Sequence, residues 1–376
     1  MFHVQNERWG ARRATAADNA RLCELVRSIH MKGKLDVTQE RDPDFFALGR
    51  MHLGPAETWA FLDGEGSIEG CWSLCLRDAL LDGQRVKTGY LCDLRLTPKL
   101  RGGKVLGEAS IAFMRHAREV YGVELFYNVV FDSNSVARGA LTTRSEKRRL
   151  VAVHTPMTPF EMTSVQITTP RPAPGRRITR ARASEAGEIA DFLRRDQESR
   201  PLGYLLDEAL LDARFRTWPG FGPESFFLSR DARGRVDGCL APWNTAPFKR
   251  TRVLGYHGEM RLVRAGYDLA ARLRGFRKLP APGECFDYSF LTHLAVKDDD
   301  PAILKDLLLA AYTELYPTGQ HFLSAMVPRG SRLAEAFRGF QINRTAMTLY
   351  SVAGPDSPWS QRDLRTLRPG FEMALT

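Results

Sequence analysis

The sequence predicts an α+β protein made of two similar halves, each a twisted, mixed and mostly antiparallel sheet flanked by helices. The chain has 376 residues, more than one ordinary domain holds. In both halves, short strand-like apolar runs are interspersed with segments of helical spacing. A proline-rich stretch at residues 169–176 separates the halves. We therefore predict an N-terminal domain at 1–168, a stiff linker, and a C-terminal domain at 177–376.

The first half is predicted to begin with a helix and to continue mainly with strands. Thr15 and Asp18 form a capping pair at the start of that helix. Asp82-Gly83 predicts a hairpin turn between the second and third strands. The expected elements are a helix to about residue 29, strands near 57–63, 67–76 and 85–97, a helix at 104–121, and strands near 123–130, 149–157 and 159–168.

The second half is predicted to repeat this order. Arg182-Ala-Ser184 opens its first helix as Arg13-Ala-Thr15 opens the earlier one, and Pro301 suits the first position of a helix. The expected elements are a helix to about residue 194, strands near 224–230 and 234–242, a basic helical segment at 259–275, a strand at 285–296, a helix at 301–316, a strand at 320–327, a short helix at 331–338, and a strand near 342–352.

The segment most indicative of function is a strand, a glycine loop and a helix in succession. The strand at 90–96 ends before Pro98, and the helix begins at about Val105. Gly102 and Gly103 allow a tight turn and a close approach of the main chain to a ligand. Free N–H groups and the positive end of the helix dipole favour a phosphate at this position. The alternative is an ordinary glycine turn between a strand and a helix.

This segment resembles motif A of the GCN5-related N-acetyltransferase (GNAT) superfamily, whose Arg/Gln-x-x-Gly-x-Gly/Ala loop cradles the pyrophosphate of acetyl-coenzyme A. The match departs from the motif, because Lys104 and Leu106 stand in the two glycine or small-residue positions when Arg101 is the motif arginine. The resemblance implies acetyl-CoA, or another acyl-CoA, as co-substrate. It also implies cofactor contacts from Leu94, Arg95, Leu96, Arg101, Gly102, Gly103, Lys104, Val105 and Leu106.

A second segment resembles motif B of the same superfamily, Asn-x-x-Ala-x-x-x-Tyr. Asn134 and Ala137 match it and would lie beside the pantetheine arm, whereas Leu141 replaces the tyrosine that often protonates the departing thiolate. Asn134 would also serve as an ordinary helix N-cap.

Acyl transfer also requires groups that accept and donate protons. The 90–96 strand resembles the Tyr-Leu-Glu-Asp strand of polyamine acetyltransferases, with Cys92 in place of the catalytic glutamate. Candidate catalytic residues are therefore Asp93, Cys92 and Tyr90, with His30 and His52 as alternative bases. Since side chains alternate along a strand, only one of Cys92 and Asp93 is expected to face the cleft.

The second half lacks a glycine loop at the equivalent point. Lys297-Asp298-Asp299-Asp300 precedes its helix, and these carboxylates suit a helix N-terminus but would repel a pyrophosphate. We therefore expect a degenerate copy that shapes the substrate cleft or braces the first domain.

The composition restricts the partners and the location. The net charge of +10 favours phosphates, acidic substrates or RNA. The sequence has no signal peptide and no long apolar run, so we expect a cytoplasmic protein without membrane insertion. The six cysteines form no Cys-x-x-Cys pair, so no metal is expected.

These observations predict an acyl-CoA-dependent N-acyltransferase acting on a small-molecule or peptide amine. One alternative is an aminoacyl-tRNA-dependent transferase, since tandem GNAT-like domains resemble that group, although a nucleic-acid partner is not favoured. The other alternative is a non-catalytic CoA- or ligand-binding protein on a decayed GNAT scaffold.

Overall fold

The computed structural model of the protein describes residues 4–5, 9–101, 105–123, 125–142, 152–355 and 357–376. The elements of the first half are β1 (Val4–Gln5), β2 (Trp9–Arg13), α1 (Asn19–Ser28), β3 (Leu35–Glu40), α2 (Ala47–Met51), β4 (Ala56–Asp63), β5 (Ile68–Leu81), β6 (Gln84–Leu96), α3 (Val105–Tyr121), β7 (Leu125–Phe131), α4 (Ser135–Thr142) and β8 (Val153–Gln166).

The second half follows a similar order. Its elements are β9 (Ile178–Arg180), α5 (Ala186–Glu198), β10 (Gly203–Tyr204), α6 (Glu208–Thr217), β11 (Phe227–Arg230), β12 (Val236–Trp243), β13 (Arg250–Tyr256), α7 (Glu259–Arg274), β14 (Tyr288–Val296), α8 (Pro301–Leu315), β15 (Phe322–Pro328) and β16 (Ile342–Ala353).

The predicted α+β class is confirmed, and the long helices and strands lie close to their predicted bounds. The prediction of two strands at 149–157 and 159–168 is wrong, because β8 is one continuous strand. Its ladder with β16 shifts register between Leu349 and Tyr350, opposite Pro156 and Thr158. This irregularity tolerates a proline, which has no N–H to donate to the ladder.

One 14-stranded sheet runs through both halves in a mirrored order. From one edge the sequence is β1-β2-β4-β5-β6-β7-β16-β8-β15-β14-β12-β11-β9. At its centre the halves exchange strands: β16 pairs with β7 of the first half, and β8 pairs with β15 of the second. The predicted boundary at 168–177 therefore lies between two segments that belong to one hydrogen-bonded sheet.

Two shorter pairings also join the halves. β3 forms an antiparallel pair with β13, and β10 pairs with β5. These contacts bring Arg41, just after β3, and Lys249, just before β13, to the same region of the protein. The site described below therefore receives side chains from both halves.

The core is divided by the sheet. On one face, α3 packs through Phe113 and Ala117 against β4–β6, and α8 packs through Leu307 and Leu308 in the second half. The other face carries a cluster that includes residues of both halves, such as Tyr90 and Trp243. Within the described residues, no helix combines the length and apolar character needed to cross a bilayer.

Candidate active site

The parallel strands β6 and β7 separate partway along their length. They pair only at Thr88–Leu125, Gly89–Phe126 and Tyr90–Tyr127, although β6 continues to Leu96 and β7 to Phe131. Beyond Tyr90, the edge of β6 that faces β7 has no strand partner in the described part of the chain. Main-chain donors on such an open edge are available to a ligand.

A bulge follows immediately on the open part of β6. Asp93 has a φ of +51°, and the ladder with β5 shifts register between Cys71 and Ser73. The Cys71 thiol donates to the Asp93 carbonyl at 3.2 Å. A positive φ in a residue other than glycine is a strained conformation that often marks a functional position.

A cavity of about 70 Å³ lies against this bulge. It is lined by residues of α2 and its two flanks and of β4, β5 and β6, among them Phe45, His52, Thr58, Cys75, Cys92 and Asp93. Cys92 and Asp93 both line it, so the expectation that only one faces the cleft is wrong. The bulge breaks the alternation of side chains that an uninterrupted strand would impose.

Asp93 is held in a buried ion pair. The Arg41 Nη2 atom donates to Asp93 Oδ1 at 2.7 Å, and the two side chains are only 3% and 9% exposed. Arg41 lies just after β3, more than fifty positions before Asp93, and its charge compensates the carboxylate in this dry environment. The pair fixes the position of the bulge.

His52 lies at the cavity with a defined orientation. Its Nε2 atom is 3.0 Å from the carbonyl oxygen of Leu375. Because a carbonyl can only accept, Nε2 carries the hydrogen, and Nδ1 of the neutral ring remains as an acceptor. The ring also stacks on Tyr90, with centroids 5.7 Å apart. His30, the other alternative base, is exposed and does not line the cavity.

Two cysteines on neighbouring strands meet at the cavity wall. The sulfur atoms of Cys75 and Cys92 are 3.9 Å apart. The hydrogen bond between them, assisted by the nearby imidazole of His52, lowers the pKa of Cys75 to about 5 against the opposing effect of burial. The same hydrogen bond and burial raise the pKa of Cys92. The pair thus favours a thiolate on Cys75 that is stabilised by the Cys92 thiol.

Tyr90 is buried rather than exposed to the cavity. It is 4% accessible and stacks between His52 and Tyr127, whose ring centroid is 5.2 Å away. Burial raises its pKa well above the usual value. Its ring therefore orients His52, and its hydroxyl stays protonated at neutral pH.

Lys249 closes the region from the second half. Its Nζ donates to the main-chain oxygens of Ala374 and Thr376 at 3.0 and 2.7 Å, and it lies 4.8 Å from the centre of the Phe290 ring. Burial, then the charge of Arg41, lowers the pKa of this lysine to about 7. Lys249 thus anchors the segment that carries the Leu375 carbonyl bonded to His52.

The residues predicted to contact the cofactor lie along the open end of β6 and at the start of α3. Leu94, Arg95 and Leu96 follow the bulge, and Arg101 Nε donates to the Leu96 carbonyl at 2.8 Å. Val105 is the first residue of α3 and is buried, and Leu106 is half-buried beside it. Gly102, Gly103 and Lys104 lie outside the described residues.

The predicted motif B residues lie at the start of α4. Asn134 Oδ1 accepts from the Ala137 N–H at 3.0 Å, which is the geometry of an N-cap. This contact accounts for both residues structurally. A role beside a cofactor remains a prediction.

Sequence reasoning missed Arg41, Cys75 and Lys249. Arg41 and Lys249 belong to segments distant in sequence from β6, and only the pairing of β3 with β13 brings them together. Cys75 lies on β5, across the predicted hairpin from β6, so the register of that hairpin was the signal that could have found it. A charged residue that is almost fully buried leaves no local pattern in the sequence. His52 was named as an alternative base, and the structure places it at the site.

The whole chain is similar in structure to two solved proteins. One is Saccharomyces cerevisiae N-myristoyltransferase with bound myristoyl-CoA, at a TM-score of 0.62 and 9% identity, covering 97% of this chain and 89% of that chain. The other is a GCN5-related N-acetyltransferase from Sphaerobacter thermophilus, at a TM-score of 0.56 and 14% identity, covering 99% and 100%.

A partial match is a GCN5-related glucosamine N-acetyltransferase region of a fungal β-N-acetylglucosaminidase. It has a TM-score of 0.57 and 13% identity, covering 93% of this chain and 38% of that chain. No family model and no curated protein matches the sequence. At these low identities, the structural similarities establish the fold.

Proposed function

Because the chain has the fold of the GCN5-related N-acetyltransferase superfamily, we propose that it is an acyl-CoA-dependent N-acyltransferase. It would transfer a small acyl group, with acetyl favoured, from coenzyme A to the amine of a small molecule or peptide. The observation that carries this proposal is the separation of β6 from β7 next to the Asp93 bulge and its cavity.

The open edge of β6 fits the acyl carbonyl. Main-chain N–H groups between Leu94 and Leu96 are candidates to polarise it, since preorganised donors stabilise the negative charge that develops on this oxygen. In this proposal Arg101, which donates to the Leu96 carbonyl, and the N-terminus of α3 would receive the pyrophosphate. A cavity of about 70 Å³ holds a few water-sized groups, which suits a short acyl group better than a long chain.

His52 is the base that the geometry favours. Its Nε2–H is committed to the Leu375 carbonyl and the ring also interacts with Cys75, which leaves Nδ1 to accept the proton that the substrate ammonium loses before it attacks as a neutral amine. The amine nitrogen then bonds to the acyl carbon as the carbon–sulfur bond breaks. The coenzyme A thiolate leaves and takes up a proton.

The three predicted catalytic residues have other roles in this scheme. Asp93 is engaged by Arg41, so it fixes the bulge that aims the main-chain donors. Tyr90 orients the His52 ring by stacking. The Cys92 thiol lines the cavity and stabilises the Cys75 thiolate through the hydrogen bond between the two sulfur atoms.

Calorimetric titration with acetyl-CoA and with myristoyl-CoA tests the binding step. We expect saturable binding of acetyl-CoA, weakened at least about tenfold by Arg101→Glu, since one charged contact to a phosphate is worth roughly 1.5–3 kcal/mol. Arg233→Glu, at an exposed turn of the second half, is the matched control. Absence of heat with either ligand would exclude the proposal, and preference for myristoyl-CoA would exclude the short acyl group.

A thiol-release assay with a panel of amines tests the chemical step. Acyl-CoA binding without coenzyme A release for any amine would favour a non-catalytic binding protein. Transfer from aminoacyl-tRNA, with no acetyl-CoA binding, would favour the tRNA-dependent alternative.

A further inference from the structure

Helix α7 presents leucines to solvent. Leu262, Val263, Leu269 and Leu273 expose 77%, 52%, 59% and 78% of their surface. Among the described residues, seven large hydrophobic side chains are exposed, and these four share one helix. A contiguous apolar patch of this kind marks an interaction surface more often than isolated exposed residues do.

The exposed leucines form one stripe that points away from the protein. At 3.6 residues per turn, Leu262, Leu269 and Leu273 fall within about 40° of one another around the helix axis. Ala271, the one residue of α7 that is buried, lies about 180° from the centre of this stripe. The side of the helix that faces the protein thus carries Ala271 and the half-buried Met260, Arg264 and Tyr267, whereas the leucines face outward.

Basic residues border the stripe. The segment 257–278 contains six arginines and lysines against two acidic residues. Arg261 and Arg272 lie on one side of the leucines and Arg274 on the other, all exposed. Both acidic residues are engaged, Glu259 by Lys34 and Asp268 by Arg264 at 3.7 Å. The outward face is therefore apolar at its centre and positive at its margins.

The charge decides which partner fits this face. Two copies packed through it about a two-fold axis would bring the same arginines together, and like charges facing one another disfavour an interface. An anionic lipid surface instead neutralises them. Long arginine side chains can reach phosphate groups while the leucines enter the acyl boundary beneath.

We propose that α7 docks the protein on the surface of an anionic lipid bilayer. The helix lies parallel to the surface and does not cross the bilayer. This inference rests on α7 alone and stands whether or not the proposed acyltransferase activity is found.

Vesicle co-sedimentation of the full chain tests this proposal. The vesicles contain either phosphatidylcholine alone or equal parts of phosphatidylcholine and phosphatidylglycerol. We expect sedimentation with the anionic vesicles and little with the neutral ones, weakening as salt is added. The triple variant Leu262→Ser, Leu269→Ser, Leu273→Ser should lose at least about tenfold in affinity. Serine substitutions at the other exposed hydrophobic residues, Val120, Val136 and Leu367, are the matched control and should bind as the wild type does.

The double variant Arg272→Glu, Arg274→Glu should bind at least about tenfold more weakly. Its control is Arg233→Glu, Arg338→Glu, at exposed positions away from α7. Wild-type protein that stays in the supernatant with anionic vesicles would overturn the proposal, as would equal binding by the leucine variant. Sedimentation velocity tests the other occupant of this face. If the wild type does not bind vesicles but forms a dimer, and the leucine variant is a monomer, the face binds a second copy of the chain instead.

Discussion

The protein contains the same bulge twice, in two different environments. Asp93 on β6 and His293 on β14 both have a φ of +51°, and both lie at a register shift against an antiparallel neighbour, β5 in one half and β12 in the other. Each bulge carbonyl accepts from a buried thiol, that of Cys71 in one half and Cys239 in the other. The backbone device is therefore common to the two halves.

The side chains around the two bulges differ. Asp93 lies at a cavity with thiols and an imidazole, whereas His293 lies among the rings of Trp218, Phe221 and Phe226, with centroids 5.1–5.4 Å away. The His293 N–H donates to Glu372. Burial and then the charge of Arg214 lower the pKa of His293 far below its usual value. One bulge is thus open to a ligand, and the other is filled by the protein.

The largest expected difference between the halves is catalytic. Under the proposed mechanism, His52→Asn should reduce kcat by about 10²–10⁴-fold, the usual contribution of a general base, and leave acetyl-CoA affinity unchanged. His293→Asn should leave kcat per folded molecule unchanged. Steady-state kinetics with calorimetry separates the two effects, and near-ultraviolet circular dichroism confirms folding. Equal loss of kcat in both variants would remove the distinction.

The buried arginines should differ in stability. Arg41→Met leaves the Asp93 carboxylate buried without its partner, which should cost on the order of 3–5 kcal/mol. Arg214→Met should cost less, because the buried Glu372 near it, whose pKa is already raised by burial, can take up a proton when the arginine is removed. The urea midpoints of the two variants and of the double variant Arg41→Met, Asp93→Leu measure this. We expect the double variant to regain much of the loss.

The thiols should differ in reactivity with pH. The pKa of Cys75 is lowered to about 5, so its thiolate fraction is already high at pH 6 and rises little above it. Burial raises the pKa of Cys71 to about 12 and that of Cys239 still further. At pH 6.5, iodoacetamide should modify the Cys75–Cys92 pair at least about tenfold faster than Cys71 and Cys239. Peptide mass spectrometry measures the four labelling rates. Protection of that pair by acetyl-CoA would place the ligand at the cavity.

The smallest expected difference concerns two glycines that precede the thiols. A Cβ at Gly70 would lie 2.8 Å from the Arg95 carbonyl oxygen, which is main chain and cannot move aside. A Cβ at Gly238 would instead lie 2.5 Å from the Cγ2 methyl group of Ile303, which is a side-chain atom rather than main chain. Overpacking costs about 1–3 kcal/mol. We expect Gly70→Ala toward the upper end and Gly238→Ala toward the lower end, measured by thermal unfolding.

The sequence allowed prediction of the elements that local patterns determine. α3 and α8 were predicted because their apolar residues recur at helical spacing, and the Asp82-Gly83 turn predicted the β5–β6 hairpin. The strand that ends before Pro98 and the helix that begins at Val105 were predicted correctly, and that strand is the open end of β6. Its loop glycines lie outside the described residues, so their role stays a prediction.

Other features depend on non-local contacts. The alternation of apolar and polar residues along β8 and β16 would be the same if each strand paired within its own half. The sequence pattern therefore cannot distinguish that arrangement from the exchange of the two strands. The bulge is imposed on Asp93 by the surrounding sheet, since aspartate is not a residue that demands positive φ. The Arg41–Asp93 ion pair depends on β3 meeting β13 across the two halves.

Because β8 and β16 are exchanged between the halves, the sheet of the first half cannot be completed until the second half has been synthesised. β7 ends at residue 131, but its neighbour β16 begins only at residue 342. At a synthesis rate of about 5–20 residues per second, the edge of β7 stays uncovered for roughly 10–40 s on the ribosome. An uncovered strand edge invites pairing with other chains. We therefore expect the protein to depend on chaperones during synthesis. We also expect the first half, expressed alone, to fail to fold stably.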